Sequence, residues 1–424
     1  MNITINPGRV RGCVQVPSSK SIGHRAVICA GLSKGRSHIS GLSPSKDITA
    51  TINGLKQLGI SCGFYEGTLL VENNGLPSQD VLIDCKESGS TLRFLIPVAL
   101  ALEGEAVFTG AGRLGERPLD VYRKLFSSMG ISWHQESGGL PLTVKGCLKS
   151  GEYEVDGSIS SQFITGLMLA LPLLKDDSVL NIKNVLESRP YIDLTMDVLR
   201  DFGINIENHS YREFIIPGSQ SYTARHYNVE GDFSQAAFFL ATGALSGSVT
   251  ISGLKKDSLQ GDSVIINILS RMGAEITWHD NKLHISESPL TGTTIDASQC
   301  PDLVPILAII GSLSHGTTII ENAGRLRLKE SDRLSAMAEE LKKLGADIIE
   351  LNDGLIIHGK PYLSGGSVNC WNDHRVAMSL GIAALRCSSP VTINGAECVD
   401  KSYPLFWEDL KRIGGDVVEQ YMGE

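Results

Sequence analysis

Short turns that combine cations with hydroxyl side chains recur along this sequence. The stretch 18–25, "SSKSIGHR", places Lys20 and Arg25 at the start of an apolar run, and comparable turns read "GERP", "KESDR" and "NDHR". A helix N-terminus carries unpaired N–H groups and partial positive charge, so an added cation there costs about 0.3–1 kcal/mol unless solvent or a bound anion compensates it. An ordinary helix cap or a local salt bridge explains each turn taken alone. Together the turns indicate an anion-binding site.

The same turns contain many cations and a few carboxylates. The cations are Lys20, Arg25, Arg93, Arg113, Arg117, Arg189, Arg327, Lys329, Arg333, His374, Arg375 and Lys401, and the acids are Asp302, Glu330, Asp332 and Asp373. Arginine suits bidentate binding of oxyanions, whereas lysine is a point charge that can also transfer a proton. The number of cations predicts a ligand with more than one anionic group, a phosphate together with a carboxylate.

A sixfold internal repeat places these turns at equivalent positions. The pattern Leu-x-x-apolar-Gly recurs at intervals of 69 to 73 residues and ends at Gly59, Gly130, Gly203, Gly273, Gly345 and Gly414. The pattern of each unit predicts a strand, an apolar helix, a second strand, a helix that ends at the repeat glycine and, in five units, an alternating hairpin. The polar turns either enter the apolar helix or follow the second strand. Because chance would not confine them there, we expect them to face one cleft.

Composition limits the possible partners. The 424 residues carry a net charge of −9, which argues against nucleic acid and anionic membranes as partners. Nine cysteines without a C-x-x-C pair favour reduced thiols in a cytoplasmic protein over disulfides or a zinc site. The N-terminal sequence lacks the apolar core of a signal peptide, and no apolar run has the length of a membrane span. We expect neither a metal nor a cofactor.

The sequence closely resembles the 5-enolpyruvylshikimate-3-phosphate (EPSP) synthases, the 3-phosphoshikimate 1-carboxyvinyltransferases. The segments that carry the resemblance follow in the family's order from Ile3 to beyond Trp407, and they read "PSSKSIGHRA", "SGSTLR", "GERPLD", "DGSISSQF", "SRPYIDLT", "VEGDFSQAA", "RLKESDRL", "NDHRVAM" and "DKSYPLFWEDL". The resemblance implies an α/β fold, a two-domain inside-out α/β barrel of six β-α-β-α-β-β repeats, with three repeats and parallel buried helices in each domain. One domain, completed by the N-terminal strand, would comprise 1–17 and 229–424, and the other 18–228, with the active site in the cleft between them.

The resemblance also implies a reaction and the residues that serve it. The enolpyruvyl group of phosphoenolpyruvate would move to the 5-hydroxyl of shikimate 3-phosphate with release of phosphate, in aromatic amino acid biosynthesis. The implied contacts of shikimate 3-phosphate are Lys20, Ser21, Arg25, Ser160, Ser161, Gln162, Ser188, Tyr191, Asp302 and Lys329. The implied contacts of phosphoenolpyruvate are Lys20, Gly89, Arg117, Gln162, Arg333, Arg375 and Lys401.

The implied chemistry proceeds through a tetrahedral ketal phosphate. Asp302 would act as the base on the hydroxyl, while Glu330 and Lys20, assisted by His374, would exchange protons at the methylene carbon. We expect a monomer whose partners are these two small molecules.

Three positions depart from the family pattern. Glu87 stands where many members have Asn, Phe94 where many have Pro, and Arg325 where some have an Asn that contacts the shikimate phosphate. These departures bear on ligand affinity and on inhibition by phosphoenolpyruvate mimics such as glyphosate. Arg325 is therefore not assigned to the site.

Other functions fit part of the pattern. UDP-N-acetylglucosamine enolpyruvyl transferases share the fold and the reaction, but they have Lys-Asn in place of Lys20-Ser21 and a reactive cysteine in the loop that here, at 111–118, has none. A non-catalytic repeat protein such as a sliding clamp would need a broadly basic inner surface, whereas these cations alternate with acids. A phosphate-binding module without chemistry would fit if Asp302 and Glu330 were only structural.

Overall fold

The structure is a computed structural model that describes residues 1–74, 81–102, 104–136 and 139–420. Parts of the expected domains lie outside the described residues, namely 75–80, 103 and 137–138 of the range 18–228 and 421–424 of the range 229–424. Contacts divide the chain into two compact units. We call Ser18–Glu230 the contiguous unit, and Met1–Pro17 together with Gly231–Glu424 the composite unit.

The described residues form 24 strands and 12 α-helices. The strands are β1 (Asn2–Asn6), β2 (Val10–Gln15), β3 (Gly35–Ser40), β4 (Ser61–Tyr65), β5 (Thr68–Asn73), β6 (Leu82–Asp84), β7 (Glu105–Thr109), β8 (Ser132–Gln135), β9 (Leu142–Lys145), β10 (Glu152–Asp156), β11 (Ser178–Lys183), β12 (Glu207–His209), β13 (Glu213–Ile216), β14 (His226–Asn228), β15 (Gly247–Ser252), β16 (Ile276–His279), β17 (Lys282–Ser286), β18 (Thr294–Asp296), β19 (Thr317–Glu321), β20 (Asp347–Leu351), β21 (Gly354–His358), β22 (Gly366–Asn369), β23 (Val391–Asn394) and β24 (Asp416–Gln420). The helices are α1 (Lys20–Leu32), α2 (Lys46–Gln57), α3 (Gly89–Leu102), α4 (Asp120–Ser128), α5 (Ser161–Ala170), α6 (Arg189–Asp201), α7 (Phe233–Ser246), α8 (Val264–Arg271), α9 (Val304–Ser312), α10 (Arg333–Lys343), α11 (His374–Ala384) and α12 (Phe406–Arg412). Short 3-10 helices lie at Gly112–Glu116, Leu171–Leu173, Gly261–Ser263, Pro301–Leu303, Gly324–Leu328 and Ala396–Lys401.

The described strands pair into six four-stranded sheets, one for each repeat. The contiguous unit contains the sheets β14-β3-β5-β4, β6-β7-β9-β8 and β10-β11-β13-β12, and the composite unit contains β2-β15-β17-β16, β18-β19-β21-β20 and β22-β23-β1-β24. In every sheet the first pair is parallel and the other pairs are antiparallel. The sixfold α/β repeat predicted from the sequence is therefore confirmed.

Three strands pair outside the repeat in which they occur in sequence. β2 precedes α1 but lies parallel to β15, with Gly12 opposite Val249, and β14 precedes α7 but lies parallel to β3, with Tyr227 opposite Ile39. β1 fills the position between β23 and β24 that the sixth repeat leaves open. The residue pattern predicted β2 and β14 as first strands but did not distinguish their partners. The domain ranges implied by the family resemblance, 1–17 with 229–424 and 18–228, require this exchange.

The first helix of each repeat is buried, whereas the second is amphipathic, as the sequence predicted. Every residue of α7 and of α9 is buried. In α10, Leu334, Met337 and Leu341 are buried, whereas the helix ends in Lys342 and Lys343. Each unit has its own apolar core. Among the helices that the structure describes, none combines the length and apolarity that a membrane crossing requires.

The repeat glycines end the second helices in the way the sequence predicted. Gly59 has a φ of +78°, and the N–H groups of Gly59 and Ile60 donate to the carbonyls of Lys56 and Leu55, both at 3.1 Å. The other repeat glycines have φ values between +77° and +106° and the same pair of hydrogen bonds. This left-handed C-cap favours glycine because a Cβ would be strained there.

Gly130→Ala tests the repeat signal. A Cβ on Gly130 meets nothing within 4 Å, but its φ is +77°, so left-handed strain alone should cost about 1–2 kcal/mol of unfolding free energy. Gly63 in β4 of the same unit is equally open and lacks a positive φ. Gly63→Ala should therefore be neutral or slightly stabilising. Equal urea midpoints for the two variants would contradict the C-cap role of Gly130.

Candidate active site

Lys20, at the start of α1, pairs with a carboxylate from the first turn of α2. Ser19 caps the helix by accepting the backbone N–H of Ile22 at 3.4 Å. Lys20 Nζ donates to Oδ2 of Asp47, in the first turn of α2, at 2.7 Å. The two side chains are only 19% and 13% exposed. Asp47 therefore holds a charged amine at the positive end of α1, which explains how the unfavourable position of Lys20 is tolerated.

Arg25, the second cation of this turn, is buried and joins three helices. Its Nε donates to Thr195 Oγ1 at 2.8 Å and its Nη1 to the carbonyl of Ser21 at 2.6 Å. Its Nη2 reaches Thr165 Oγ1 at 3.3 Å and the carbonyl of Tyr191 at 3.2 Å. Burial lowers the pKa of Arg25 to about 10, so the guanidinium stays charged at neutral pH. It fixes the starts of α1 and α6 against α5.

A cradle of two arginines lies over the start of α3. Arg93 Nη1 donates to Gln162 Oε1 at 2.7 Å, and Gln162 Nε2 donates to Ser90 Oγ at 3.0 Å. A Cβ on Gly89 would lie 2.8 Å from Nη1 of Arg117 and 3.4 Å from Nη1 of Arg93. Glycine at this position therefore lets the arginines approach the helix N-terminus, an arrangement suited to an oxyanion.

The predicted serines lie at the starts of α5 and α6. Ser160 caps α5 by accepting the N–H of Gln162 at 3.3 Å, and Ser161 follows it. Ser188 is buried at the N-cap position of α6 with a left-handed φ of +57°. Such backbone costs about 1–3 kcal/mol for a non-glycine residue and is concentrated at ligand-binding turns. Tyr191 lies in the first turn of α6.

Arg333 is the centre of an ion cluster in the composite unit. Its side chain is 1% exposed and bonds three carboxylates, Asp302 at 2.9 Å, Glu330 at 2.8 Å and Asp373 at 2.8 Å. Asp373 also caps α11 by accepting the N–H of Arg375 at 2.9 Å. A buried charge is tolerated only when it is paired and hydrogen-bonded. Arg333 therefore ties the starts of α9, α10 and α11 together.

Asp302 faces two further cations. Lys329 Nζ lies 3.4 Å from its Oδ1, Arg375 Nη2 lies 3.2 Å from its Oδ2, and Arg375 Nη1 donates to its backbone carbonyl at 3.0 Å. Burial opposes ionisation, but Arg375, Lys329 and Arg333 outweigh it and hold the pKa of Asp302 well below its ordinary value. Burial also lowers the pKa of Lys329, although Asp302 partly offsets this. Asp302 is therefore an anion at neutral pH.

A strained turn positions His374 and Lys401. Trp371 and Asn372 both have left-handed backbone, with φ of +55° and +52°, and Trp371 Nε1 donates to the buried carboxylate of Glu340 at 2.7 Å. Buried Lys401 donates from Nζ to the carbonyl of Asn372 at 2.6 Å. His374, also buried, begins α11 directly after this turn. The turn therefore brings Lys401 to the N-terminus of α11.

Three of the cations noted in the sequence are engaged in local packing. Arg113 forms an exposed ion pair with Glu116 at 2.8 Å. The guanidinium of Arg189 lies 5.3 Å from the ring centroid of Tyr211. Arg327 is bound by two carboxylates and two backbone carbonyls at the start of α10. The packing of their own repeats therefore accounts for the presence of these three cations in the polar turns.

The departures from the family pattern occupy defined positions. Phe94 is buried in α3, and its ring centroid lies 5.2 Å from the guanidinium carbon of Arg25. Glu87 Oε2 lies 2.6 Å from where a Cβ on Gly112 would stand. Arg325 Nη2 donates to the carbonyl of Ser298. Phe94 thus supports a predicted ligand contact directly, since it packs against Arg25.

Sequence reasoning missed Asp47 and assigned Asp373 only a helix cap, which the structure confirms. Ser45, which caps α2, marks the turn that contains Asp47, but nothing local links Asp47 to Lys20, 27 residues earlier. The N-cap position of Asp373 was a sequence signal, whereas its contact with Arg333, 40 residues earlier, was not. Both contacts were missed because the partners come from other helices.

The two sets of side chains suit anionic ligands and proton transfer. Each unit presents cations in the first turns of helices, where phosphate and carboxylate groups bind favourably. The Asp302 carboxylate can accept a proton from a hydroxyl group, and the Lys20 ammonium can donate one.

Comparison with known proteins identifies relatives along the whole chain. The model of the family "EPSP synthase (3-phosphoshikimate 1-carboxyvinyltransferase)" matches residues 5–410. The chain is 52% identical to the 3-phosphoshikimate 1-carboxyvinyltransferase of Clostridium kluyveri over 423 residues, and 54% identical to that of Clostridium acetobutylicum over 428 residues, covering 100% of this chain and 99% of each relative. A solved structure of EPSP synthase from Acinetobacter baumannii superposes with a TM-score of 0.83 at 27% identity, covering 99% of this chain and 100% of that one.

Asp373→Asn tests the ion cluster. Asparagine can still cap α11, so the variant removes mainly the charge that faces Arg333 and should lose about 3 kcal/mol of stability. Glu339→Gln on the same helix as Arg333 is the matched control, because Glu339 is 55% exposed and pairs with Lys343 at 3.3 Å. It should lose less than about 0.5 kcal/mol. Equal losses in chemical denaturation would show that the cluster is not central to stability.

Proposed function

This chain belongs to the EPSP synthase family, the 3-phosphoshikimate 1-carboxyvinyltransferases, and we propose that the two sets of side chains described above carry out the family's reaction. The enzyme transfers the carboxyvinyl group of phosphoenolpyruvate to shikimate 3-phosphate in aromatic biosynthesis. The observation that carries the assignment of residues is the Asp302 carboxylate, which is held between Lys329, Arg333 and Arg375.

The two substrates each carry one phosphate and one carboxylate, and the cations are divided between them. For phosphoenolpyruvate we assign Lys20, Gly89, Arg117, Gln162, Arg333, Arg375 and Lys401. For shikimate 3-phosphate we assign Lys20, Ser21, Arg25, Ser160, Ser161, Gln162, Ser188, Tyr191, Asp302 and Lys329. The convergence of Arg117, Arg93 and Gln162 over Gly89 supports the first set, and the left-handed turn at Ser188 supports the second.

Asp302 acts as the base in this proposal. The 5-hydroxyl of shikimate 3-phosphate attacks C2 of phosphoenolpyruvate while C3 gains a proton, which gives a tetrahedral ketal phosphate. Bound anionic groups draw Lys329 and Arg375 toward themselves, so the pKa of Asp302 rises toward the range in which it accepts the hydroxyl proton. The intermediate then loses a C3 proton and phosphate.

Lys20 and Glu330 exchange the C3 proton, and His374 assists them. The contact between Lys20 Nζ and Asp47 at 2.7 Å holds the amine at the start of α1. Glu330 is 16% exposed and anchored by Arg333, which keeps its carboxylate in a fixed place. The arginines stabilise the charge on phosphate and carboxylate through both steps.

A cleft that both domains share, the monomeric state and a cytoplasmic location stay predictions from the sequence.

The reaction itself is tested with the purified full-length protein. Mixing it with shikimate 3-phosphate and phosphoenolpyruvate should release phosphate, and each substrate alone should not. Release only with a UDP-sugar acceptor, or no release, would overturn the proposed function.

Asp302→Ala and Glu330→Ala test the acid–base assignments. Each should lower kcat by about 10²-fold or more, with folding checked by circular dichroism. Asp296→Ala is the matched control, because this nearby carboxylate accepts bonds only from Ser298 and Asn322 in the described contacts. The control should keep kcat within about threefold of the parent. Near-parental rates for the first two variants would exclude both residues from catalysis.

A further inference from the structure

Glu340 is a carboxylate in α10 that the reaction described above does not use. Its side chain is 0% exposed. Lys343 Nζ donates to both of its oxygens at 2.9 Å, Trp371 Nε1 donates to Oε1 at 2.7 Å, and the backbone N–H of Asn369 donates to Oε2 at 2.9 Å. A buried carboxylate is tolerated only with such partners. Because two of the donors lie outside α10, the carboxylate joins this helix to the segment after β22.

That segment forms a tight turn with unfavourable backbone. The N–H of Asp373 donates to the carbonyl of Cys370 at 2.9 Å, and the two residues between them, Trp371 and Asn372, have φ of +55° and +52°. Positive φ at both central positions is typical of a type I′ turn, which favours glycine, asparagine and aspartate there. A bulky residue such as tryptophan is rare in left-handed backbone and persists only where its surroundings hold it. The hydrogen bond from Trp371 to Glu340 supplies that support.

One face of α10 holds this turn at both ends. Arg333 Nε donates to Asp373 Oδ2 at 2.8 Å, and Glu340 accepts from Trp371. Arg333 and Glu340 are seven residues apart, which places them on the same face of the helix. Arg333 therefore fixes the start of α11 independently of Glu340, whereas Glu340 fixes the strained part of the turn.

We propose that Glu340 is a positioning residue for phosphoenolpyruvate binding, which acts through Trp371 and Asn372 on Lys401. Buried Lys401 donates from Nζ to the carbonyl of Asn372 at 2.6 Å, and the peptide plane of the turn sets where this carbonyl points. With Trp371 held, the carbonyl keeps the ammonium in one place. Without Glu340 the turn relaxes toward backbone that tryptophan prefers, and the ammonium shifts. The inference rests on the proposed assignment of Lys401 to phosphoenolpyruvate.

The kinetic test compares the parent protein with Glu340→Gln. Glutamine keeps the length of the side chain but replaces one acceptor oxygen with an amide group that faces a donor. The KM for phosphoenolpyruvate should rise about tenfold, whereas kcat and the KM for shikimate 3-phosphate should change by less than about threefold, because only a contact of phosphoenolpyruvate moves. An unchanged KM for phosphoenolpyruvate, or an equal rise in both KM values, would overturn the proposal.

Glu339→Gln is the matched control on the same helix. Glu339 is 55% exposed and pairs with Lys343 at 3.3 Å, so its variant should keep both KM values within about twofold of the parent. A rise in the KM for phosphoenolpyruvate as large as that of Glu340→Gln would assign the effect to the charge of α10 and overturn the role of the Trp371 bond.

Trp371→Phe tests the same bond from the side of the turn and leaves the interior of α10 intact. Phenylalanine retains an aromatic ring but lacks the indole N–H, so the KM for phosphoenolpyruvate should rise by about fivefold. In the double variant with Glu340→Gln the KM should equal that of Glu340→Gln alone, because both substitutions remove one shared contact. A KM that rises by the product of the two single effects would show independent roles and contradict the proposal.

Hydrogen exchange provides a measurement that does not depend on turnover. The backbone amides of 369–373 should exchange about fivefold faster in Glu340→Gln and Trp371→Phe than in the parent and Glu339→Gln, and equal rates would contradict the coupling. If the parent releases no phosphate from the two substrates but exchange accelerates, the proposed function fails and the hold of Glu340 on the turn stands. If phosphate is released and the KM for phosphoenolpyruvate is unchanged in Glu340→Gln, the inference about Glu340 fails alone.

Discussion

The side chain of Arg333 is almost completely buried, so its charge must be met by protein groups. Three carboxylates meet it from three segments, and their positions are therefore linked to one another. Asp302 is set before α9, Glu330 at the turn before α10 and Asp373 at the cap of α11. Removing any one leaves a buried charge incompletely paired, which is among the larger costs a side chain can impose. The same contact that stabilises the unit thus fixes the two carboxylates proposed for proton transfer.

Carboxylates of the protein itself offset the repulsion between these cations when no ligand is bound. Lys20 is paired with Asp47, and Lys329 and Arg375 share the carboxylate of Asp302 with Arg333. A substrate must offer these cations more negative charge than the protein already provides. Phosphate groups with two charges can do so, whereas a simple monocarboxylate competes poorly. The internal ion pairs therefore favour phosphorylated substrates over unphosphorylated analogues.

Much of the fold could be predicted from the sequence because its signals are local. The repeat glycines require left-handed backbone, and the polar turns cap apolar helices. Both features can be recognised from a few neighbouring residues in the sequence. The exchange of β2 and β14 could not be predicted from their own residue pattern, because their partners are set by the path of the chain. Only the domain ranges implied by the family resemblance required it. At the site, residue types predicted anion binding. The contact of Asp47 with Lys20 was missed because a carboxylate's partner on another helix leaves no trace in neighbouring residues.

The placement of β1 and β2 also has a consequence for synthesis of the chain. All strands of the contiguous unit lie between Ser18 and Glu230, so its three sheets can close while the ribosome is still translating. β2 must wait for β15, and β1 must wait for β24, which ends at Gln420. At about 5–20 residues per second this delay for β1 is about 20–80 s. During that time the apolar strand containing Ile3 and Ile5 lacks its sheet partners β23 and β24, and an unpaired apolar strand needs protection from aggregation.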